Sequence, residues 1–446
     1  MTKRLALTLF IALLSVGALV IPTFSQGDIT PTPRPQLTVR GPVIGPNYTP
    51  PPTFTPFPSN TPEAGVTFTP EATSAGALPD LDPNAMGIQI DSNLEQADWD
   101  NAMYRLGTHL GVKWIKLQIP WEDVQPNNAG EVSAFFQRVQ LYVEDADRRQ
   151  FNILLSVVKA PNWARSIVQE DGPPDNPQAF ADFLTLMLSR IGGSIDAIEV
   201  WNEPNLLREW RGALPFSGAG YMQLFVPAYR AIRAYSPTMT IITAGLAPTG
   251  DSAVSANDRT YLEQMYANGL GNYSDVVIGV HPYSWGNSPD ATCCGTRGWD
   301  DDPHFFFADN LRDYRQIMVN AGDSDGRVWV TEFGWATWDG FPSARPQSEG
   351  WMDFNDRRAQ GNYTIRAFEI GQQSGYIDKM FLWNLNFATL FGMITNSDER
   401  AGYSIVVPGT SCQVDPNSTD TTERPLYWML YDAVRPDEQL STYDCT

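Results

Sequence analysis

The stretch Ala197-Ile198-Glu199-Val200-Trp201-Asn202-Glu203-Pro204-Asn205 runs a short apolar segment, Ala197–Trp201, straight into a turn that carries an acidic residue and a proline. A run this short, closed by a turn signal, reads as a buried strand. Seven further segments have the same character: Gly87–Ile90, Trp114–Ile119, Asn152–Val158, Thr240–Ala244, Val276–Val280, Arg327–Thr331 and Met380–Trp383. Each strand is followed by a stretch predicted as helix: Leu94–Leu110, Ala134–Arg148, Pro177–Ile191, Tyr221–Tyr235, Asp258–Asn268, Asn310–Asn320, Asp356–Gln373 and Leu426–Val434. The apolar spacing of Leu184, Leu188 and Ile191, and of Ile365 and Phe368, is helical. Gly111 and Gly375 stand where helix C-termini favour glycine. Eight strand–helix units predict an α/β fold, the (β/α)8 TIM barrel. The near-continuous apolar strands suit a parallel sheet covered on both faces. A doubly wound open sheet is the rival, but no glycine-rich phosphate turn follows an early strand.

The rest of the chain frames this domain. Lys3 and Arg4 precede the apolar run Leu5–Pro22, then Thr23-Phe24-Ser25-Gln26, the layout of a secretory signal. Residues 1–26 are therefore a signal or, if uncut, an N-terminal anchor. Either places the remainder outside the cytoplasm, secreted or tethered to the outer face of the membrane through residues 5–22. Residues 27–80 are rich in Pro and Thr, as in Thr30-Pro31-Thr32-Pro33 and Pro50-Pro51-Pro52-Thr53, and read as an extended, unpacked, disordered linker. Residues 81–446 form the barrel domain, longer than the usual barrel of about 250 residues. The surplus falls in Gly286–His304, Ala336–Asn355 and Ala388–Arg424, all on the C-terminal face.

Composition excludes several functions. With 30 basic and 51 acidic residues the net charge is −21, which opposes binding to nucleic acid or to acidic membranes. Three histidines and four cysteines, with neither CxxC nor HExxH, give no metal site, and no cofactor or protein partner is implied. Asp300-Asp301-Asp302 reads as a solvated acidic loop rather than a calcium site. Export permits disulfides, and Cys293, Cys294, Cys412 and Cys445 allow three pairings.

Barrels of this kind build their sites at the C-terminal ends of the strands. Glu203 follows the fourth strand, and Glu332 ends the seventh in Val330-Thr331-Glu332-Phe333-Gly334-Trp335. Strands four and seven face each other across a closed barrel, so the two carboxylates are expected to converge. Two carboxylates flanking one bond are what glycosidic cleavage needs. Asn202 and Tyr283 could hydrogen-bond the nucleophile; His281-Pro282-Tyr283-Ser284-Trp285 follows the sixth strand. Trp383, at the end of the eighth, could floor a sugar ring, since sugar C–H faces stack on indole. Trp121, Trp163, Trp285 and Trp335 also read as cleft residues. Trp338 and Trp351 read equally as sugar platforms or loop packing.

The paired motifs Trp-Asn-Glu-Pro-Asn and Thr-Glu-Phe-Gly-Trp resemble the clan A retaining glycoside hydrolases, nearest to families 39 and 5, over most of Leu81 to Arg435. The resemblance implies that Glu203 is the acid/base, Glu332 the nucleophile and Asn202 a contact to the sugar 2-hydroxyl. It further implies that Tyr283 hydrogen-bonds the nucleophile with His281 nearby, that Trp383 lines the central subsite, and that the substrate is a β-linked oligo- or polysaccharide. The chain departs from its relatives in two places. Lys116-Leu117-Gln118-Ile119-Pro120-Trp121 has no Arg to support the nucleophile, and Lys159-Ala160-Pro161-Asn162-Trp163 stands where many relatives place His. Lys159 and Trp163 are the substrate-binding candidates there. The alternative function is a surface-displayed glycan-binding barrel without turnover; a structural wall protein would need no cleft.

Overall fold

The computed structural model describes residues 78–294, 302–411 and 413–438. The expected signal and all but the last three residues of the expected linker lie outside this range, as do Asp300, Asp301, Cys412 and Cys445. Among the described residues no helix is long and apolar enough to cross a membrane.

Eight parallel strands close a barrel in chain order: β1 (Met86–Ile90), β2 (Trp114–Pro120), β3 (Asn152–Val158), β4 (Ala197–Val200), β5 (Thr240–Thr243), β6 (Val276–Val280), β7 (Val328–Phe333) and β8 (Ile377–Leu382). Closure is made by β1 against β8, with Gly87 opposite Phe381. The expected (β/α)8 barrel is thus observed. The helices Ala134–Arg148 and Pro177–Ile191 match expectation to the residue, capped by the side chains of Ser133 and Asn176. The helix expected over Leu94–Leu110 divides into an α-helix, Gln96–Met103, and a π-helical turn, Tyr104–Leu110, which stops at left-handed Gly111. The long segment after β8 is not plain loop. It folds as an antiparallel sheet of β9 (Val406–Thr410), which Pro408 and Gly409 disguise, with β10 (Gln413–Val414) and β11 (Thr421–Glu423), which are too short for alternation to reveal.

Side chains two apart along a strand share a face, so the barrel interior fills in layers. One layer is apolar: Trp114, Leu154, Ala197, Ile242, Trp329 and Phe381 form a closed cluster. Gly87, in register with Trp114 and Phe381, is glycine for steric reasons, since a Cβ there would lie 2.4 Å from the Phe381 ring. Two residues further along β2, β3, β4 and β7 come Lys116, Ser156, Glu199 and Thr331, all fully buried. A polar, charged layer therefore rests directly on the apolar one, at the C-terminal side where the site is expected.

Above the barrel the long loops make a second small core of Trp338, Trp351, Met352, Phe387, Met393, Tyr403 and Val407. Trp338 and Trp351 are packing residues of this core. Arg424 stitches the loops after β7 and β8 together. Its buried guanidinium donates to the carbonyls of Thr337, Asp339, Gly402 and Ser404 and lies over the Phe341 ring. Replacing Arg424 with Met removes the guanidinium from all four carbonyls, of which, among the described residues, only that of Gly402 keeps other donors, Thr337 N–H and Gln360 Nε2, and is expected to cost about 3 kcal/mol or more. Arg424→Lys should recover only part, because an ammonium cannot fork to four carbonyls. Urea denaturation of the two variants checks this; equal stability of wild type and Arg424→Met would contradict it.

Candidate active site

The turn after β4 explains the composition of its motif. Trp201 is fully buried, donates from Nε1 to the Glu209 carbonyl, and meets Trp210 and Phe180 edge to face. Asn205, four residues on, is also buried and pins the segment after β5 by bonds to Ala247 and Ala256. The ends of the motif are thus anchors, and the middle, Asn202 and Glu203, is left for the cleft. Trp201 and Glu203 both have positive φ, 77° and 42°. A residue before proline ordinarily prefers extended backbone, so this turn is strained, by about 1–3 kcal/mol per residue. The Glu203 N–H bond to the Gly245 carbonyl, at 3.0 Å, helps hold it.

Glu332 enters from β7. One oxygen of Glu203, one of Glu332 and a ring nitrogen of His281 all lie within 4.8 Å of one another. The expected convergence of strands four and seven is present. His281 Nδ1 is 3.2 Å from Glu203 Oε1 and 3.8 Å from Glu332 Oε2. Its Nε2 is 3.1 Å from Thr331 Oγ1 and 3.6 Å from Glu199 Oε1. Tyr283 donates to Glu332 Oε2 at 3.1 Å. Lys116 Nζ lies 2.9 Å from Glu332 Oε1 and 3.0 Å from Glu199 Oε2, and also donates to the Thr331 carbonyl. On the solvent side Arg208 comes within 3.5 Å of Glu203 Oε2.

These contacts set the charges. Burial disfavours the cations, but Glu199 and Glu332 outweigh it at Lys116 and raise its pKa. Burial likewise opposes a charged His281, yet Glu332, Glu199 and Glu203 lift it to about 9. Burial would raise Glu203, but His281, Arg208 and Lys116 hold it below the usual carboxylate range. Glu199 is also held low: Lys116 and His281 overcome its burial. His281 is therefore the more basic partner of the Glu203–His281 pair. Glu209, close behind, goes the other way, pushed up to about 7 by burial and by the Glu203 charge. Glu203, His281 and Glu332 are close enough to share a metal ion, but two cationic side chains already balance their carboxylates, so the cluster reads as an acid–base set.

The sequence candidates divide into two groups. Glu203, Glu332, His281 and Tyr283 meet at one point; Asn202, next to Glu203 in the chain, is buried with its Oδ1 unpartnered. Trp383 stands beside them, half-buried, 6.2 Å from the Tyr283 ring and 4.8 Å from Tyr403. Trp285 is half-buried against Phe305, 4.4 Å between centroids. Trp121 offers no face to a ligand: it is fully buried and stacked on Phe183, because the chain turns into a short helix, Trp121–Val124, and swings the ring into the core. Trp335 is buried too, its Nε1 bonded to the Asn287 carbonyl. Trp163 keeps a face exposed but bonds Gln125 and meets Trp121 edge to face, without joining the cluster. Lys159 spends its ammonium on Asp171, 2.7 Å away. Asp302, the one described residue of the acidic run, bonds to His304.

Sequence reasoning missed Lys116, Glu199 and Arg208. The first two had a signal, a single charge inside an otherwise apolar strand. Arg208 had none, since only the turn geometry brings it back over Glu203.

No protein-family model and no curated protein matches the chain. Solved structures do. A family 39 glycoside hydrolase from the gut symbiont Bacteroides cellulosilyticus is 16% identical with a TM-score of 0.57, over 80% of this chain and 64% of that one. The glucosidase from Croceicoccus marinus is 11% identical with a TM-score of 0.53, over 81% and 68%. The beta-glycosidase BGL167 is 15% identical with a TM-score of 0.52, over 81% and 98%. At these identities the likeness establishes a shared fold.

Gly245 gives a direct test of the cluster. A Cβ there would lie 2.2 Å from the His281 ring. Gly245→Ala is expected to displace the imidazole from its present carboxylate contacts and lower its titration midpoint by about one pH unit or more. With three histidines in the chain, proton NMR can follow it; an unmoved midpoint would contradict the described packing.

Proposed function

We propose that the protein is a retaining O-glycosyl hydrolase acting on β-linked glycans outside the cytoplasm. The observation that carries this reading is the spacing of Glu203 and Glu332. One oxygen of each lies within 4.8 Å of the other, the close approach that a retaining pair, with carboxyl groups roughly 5–5.5 Å apart, requires. The likeness of the fold to a family 39 glycoside hydrolase and a beta-glycosidase supports it.

The two carboxylates differ in what surrounds them. Glu332 faces the Lys116 ammonium and the Tyr283 hydroxyl, which suits a carboxylate that must attack as an anion. Glu203 faces His281 and Arg208 and keeps some contact with solvent, which suits a group that must gain and lose a proton. In the first step the Glu332 carboxylate forms a bond to the anomeric carbon while the glycosidic C–O bond breaks, and Glu203 gives its proton to the departing oxygen. In the second step Glu203 takes a proton from water, the water oxygen bonds to the anomeric carbon, and the glycosyl ester to Glu332 breaks. A sugar ring over Glu203 removes water from it and raises its affinity for a proton, so that it binds the one it must donate. The unpartnered Asn202 Oδ1 suits a substrate hydroxyl, and Trp383 suits an apolar sugar face.

Glu332→Gln is expected to lower kcat/KM on aryl β-glycosides by roughly 10⁴-fold or more while thermal stability is kept. Glu203→Ala should lose most activity on poor leaving groups, keep it on dinitrophenyl glycosides, and form a β-glycosyl azide when azide is added. Full activity of either variant would defeat the reading. Oligosaccharide binding by the wild type without product would leave the non-catalytic glycan-binding barrel.

A further inference from the structure

The acid–base pair accounts for Glu203 and Glu332 but not for a third carboxylate beneath them. Glu199 is fully buried in the middle of β4, two residues above Ala197 of the apolar layer. An apolar side chain there would simply continue the packing below. Burying ions costs several kcal/mol each unless partners compensate, so a buried charged layer calls for an explanation. We propose that Glu199 is a positioning residue, the buried counter-ion that joins Lys116 and His281 into one chain of contacts with Glu332 and Glu203 and leaves room in the cluster for the acid's proton.

The contacts form a nearly closed ring. Glu199 Oε2 meets Lys116, which meets Glu332 Oε1; Glu332 Oε2 faces His281 Nδ1, which meets Glu203; and His281 Nε2 returns to Glu199 Oε1. The Gly245 N–H fixes Glu199 Oε1 at 3.1 Å. The ionisable and polar groups facing Glu199 are Lys116 from β2, Thr331 from β7, His281 after β6 and Tyr221 from the helix Gly218–Tyr235, with Glu332 and Glu203 reached through Lys116 and His281. Both His281 nitrogens face acceptors, the arrangement that an imidazolium needs.

Charge arithmetic gives Glu199 its role. Three carboxylates and two bases, all ionised, sum to −1, and one more proton makes the buried cluster neutral. That is the proton Glu203 must hold to act as an acid. Without Glu199 the remaining two carboxylates and two bases are already neutral, and the added proton would leave an uncompensated positive charge in a buried site. Removing the Glu199 charge therefore weakens proton binding throughout the cluster, and the sign is fixed: titrations move to lower pH. Arg208, mostly exposed, is screened by solvent and alters this little.

This inference rests on the hydrolase reading, and the test separates the two. Glu199→Gln keeps the shape and removes the charge. It is expected to shift both limbs of the kcat/KM–pH profile to lower pH by about half a unit or more, and to lower the His281 NMR midpoint by about one pH unit. The NMR measurement needs no substrate, so it stands even if the wild type hydrolyses no glycan, the result that would sink the hydrolase reading alone. A purely structural Glu199 would lower activity evenly across pH with the limbs and the His281 midpoint unmoved, and that result overturns the proposal. Should Glu199→Gln not fold, Glu199→Asp withdraws the charge by about one bond length, 1.5 Å, from both bases. Its His281 midpoint is then expected to fall by a smaller amount, and no movement overturns the proposal equally.

Discussion

One ammonium group, Lys116 Nζ, sits within 3.0 Å of two carboxylates inside a closed barrel. Buried charge of this kind tolerates little displacement, because each ion is compensated only by partners in good geometry. The barrel supplies that geometry. Its register sets Lys116, Glu199 and Thr331 two residues above Trp114, Ala197 and Trp329 on their own strands, so the charged layer is fixed by the apolar one on which it rests. Everything proposed about Glu332 follows from this, since its Oε1 faces the ammonium that the layer holds.

The second constraint is the strained turn after β4. Two residues with positive φ survive there because Trp201 is locked in the core and Asn205 is bonded to the neighbouring loop. The strain aims Glu203 at His281 rather than along the strand. Both constraints meet at His281, whose place depends on the missing side chain of Gly245. The site thus rests on the charged layer below, with Arg208 on its solvent side.

Much of the fold was legible in the sequence because strands covered on both faces must be apolar throughout. Six of the eight strands were located to within a residue at each end. β8 began earlier than read, at Ile377, because Asp378 and Lys379 break the apolar run, although Ile377 and Lys379 pair with Val328 and Trp329 of β7 across a register shift. Glu203 and Glu332 were legible from their turns. Lys116 and Glu199 were passed over because strand composition was read as an average, and the informative residues were its exceptions. The tryptophans show the opposite limit: Trp121 and Trp335 stand at strand ends as Trp383 does, but only the backbone direction decides whether such a ring faces cleft or core. Where the sequence resemblance implies an arginine, β2 supplies a lysine, with one point charge shared between two carboxylates.

The most direct test is a 2-deoxy-2-fluoro-β-glycoside carrying a good leaving group, followed by mass spectrometry of the digested protein. The account predicts stoichiometric inactivation with the sugar attached to the peptide that contains Glu332. Turnover with inversion and no adduct, or an adduct on another carboxylate such as Glu203 or Glu209, would contradict it.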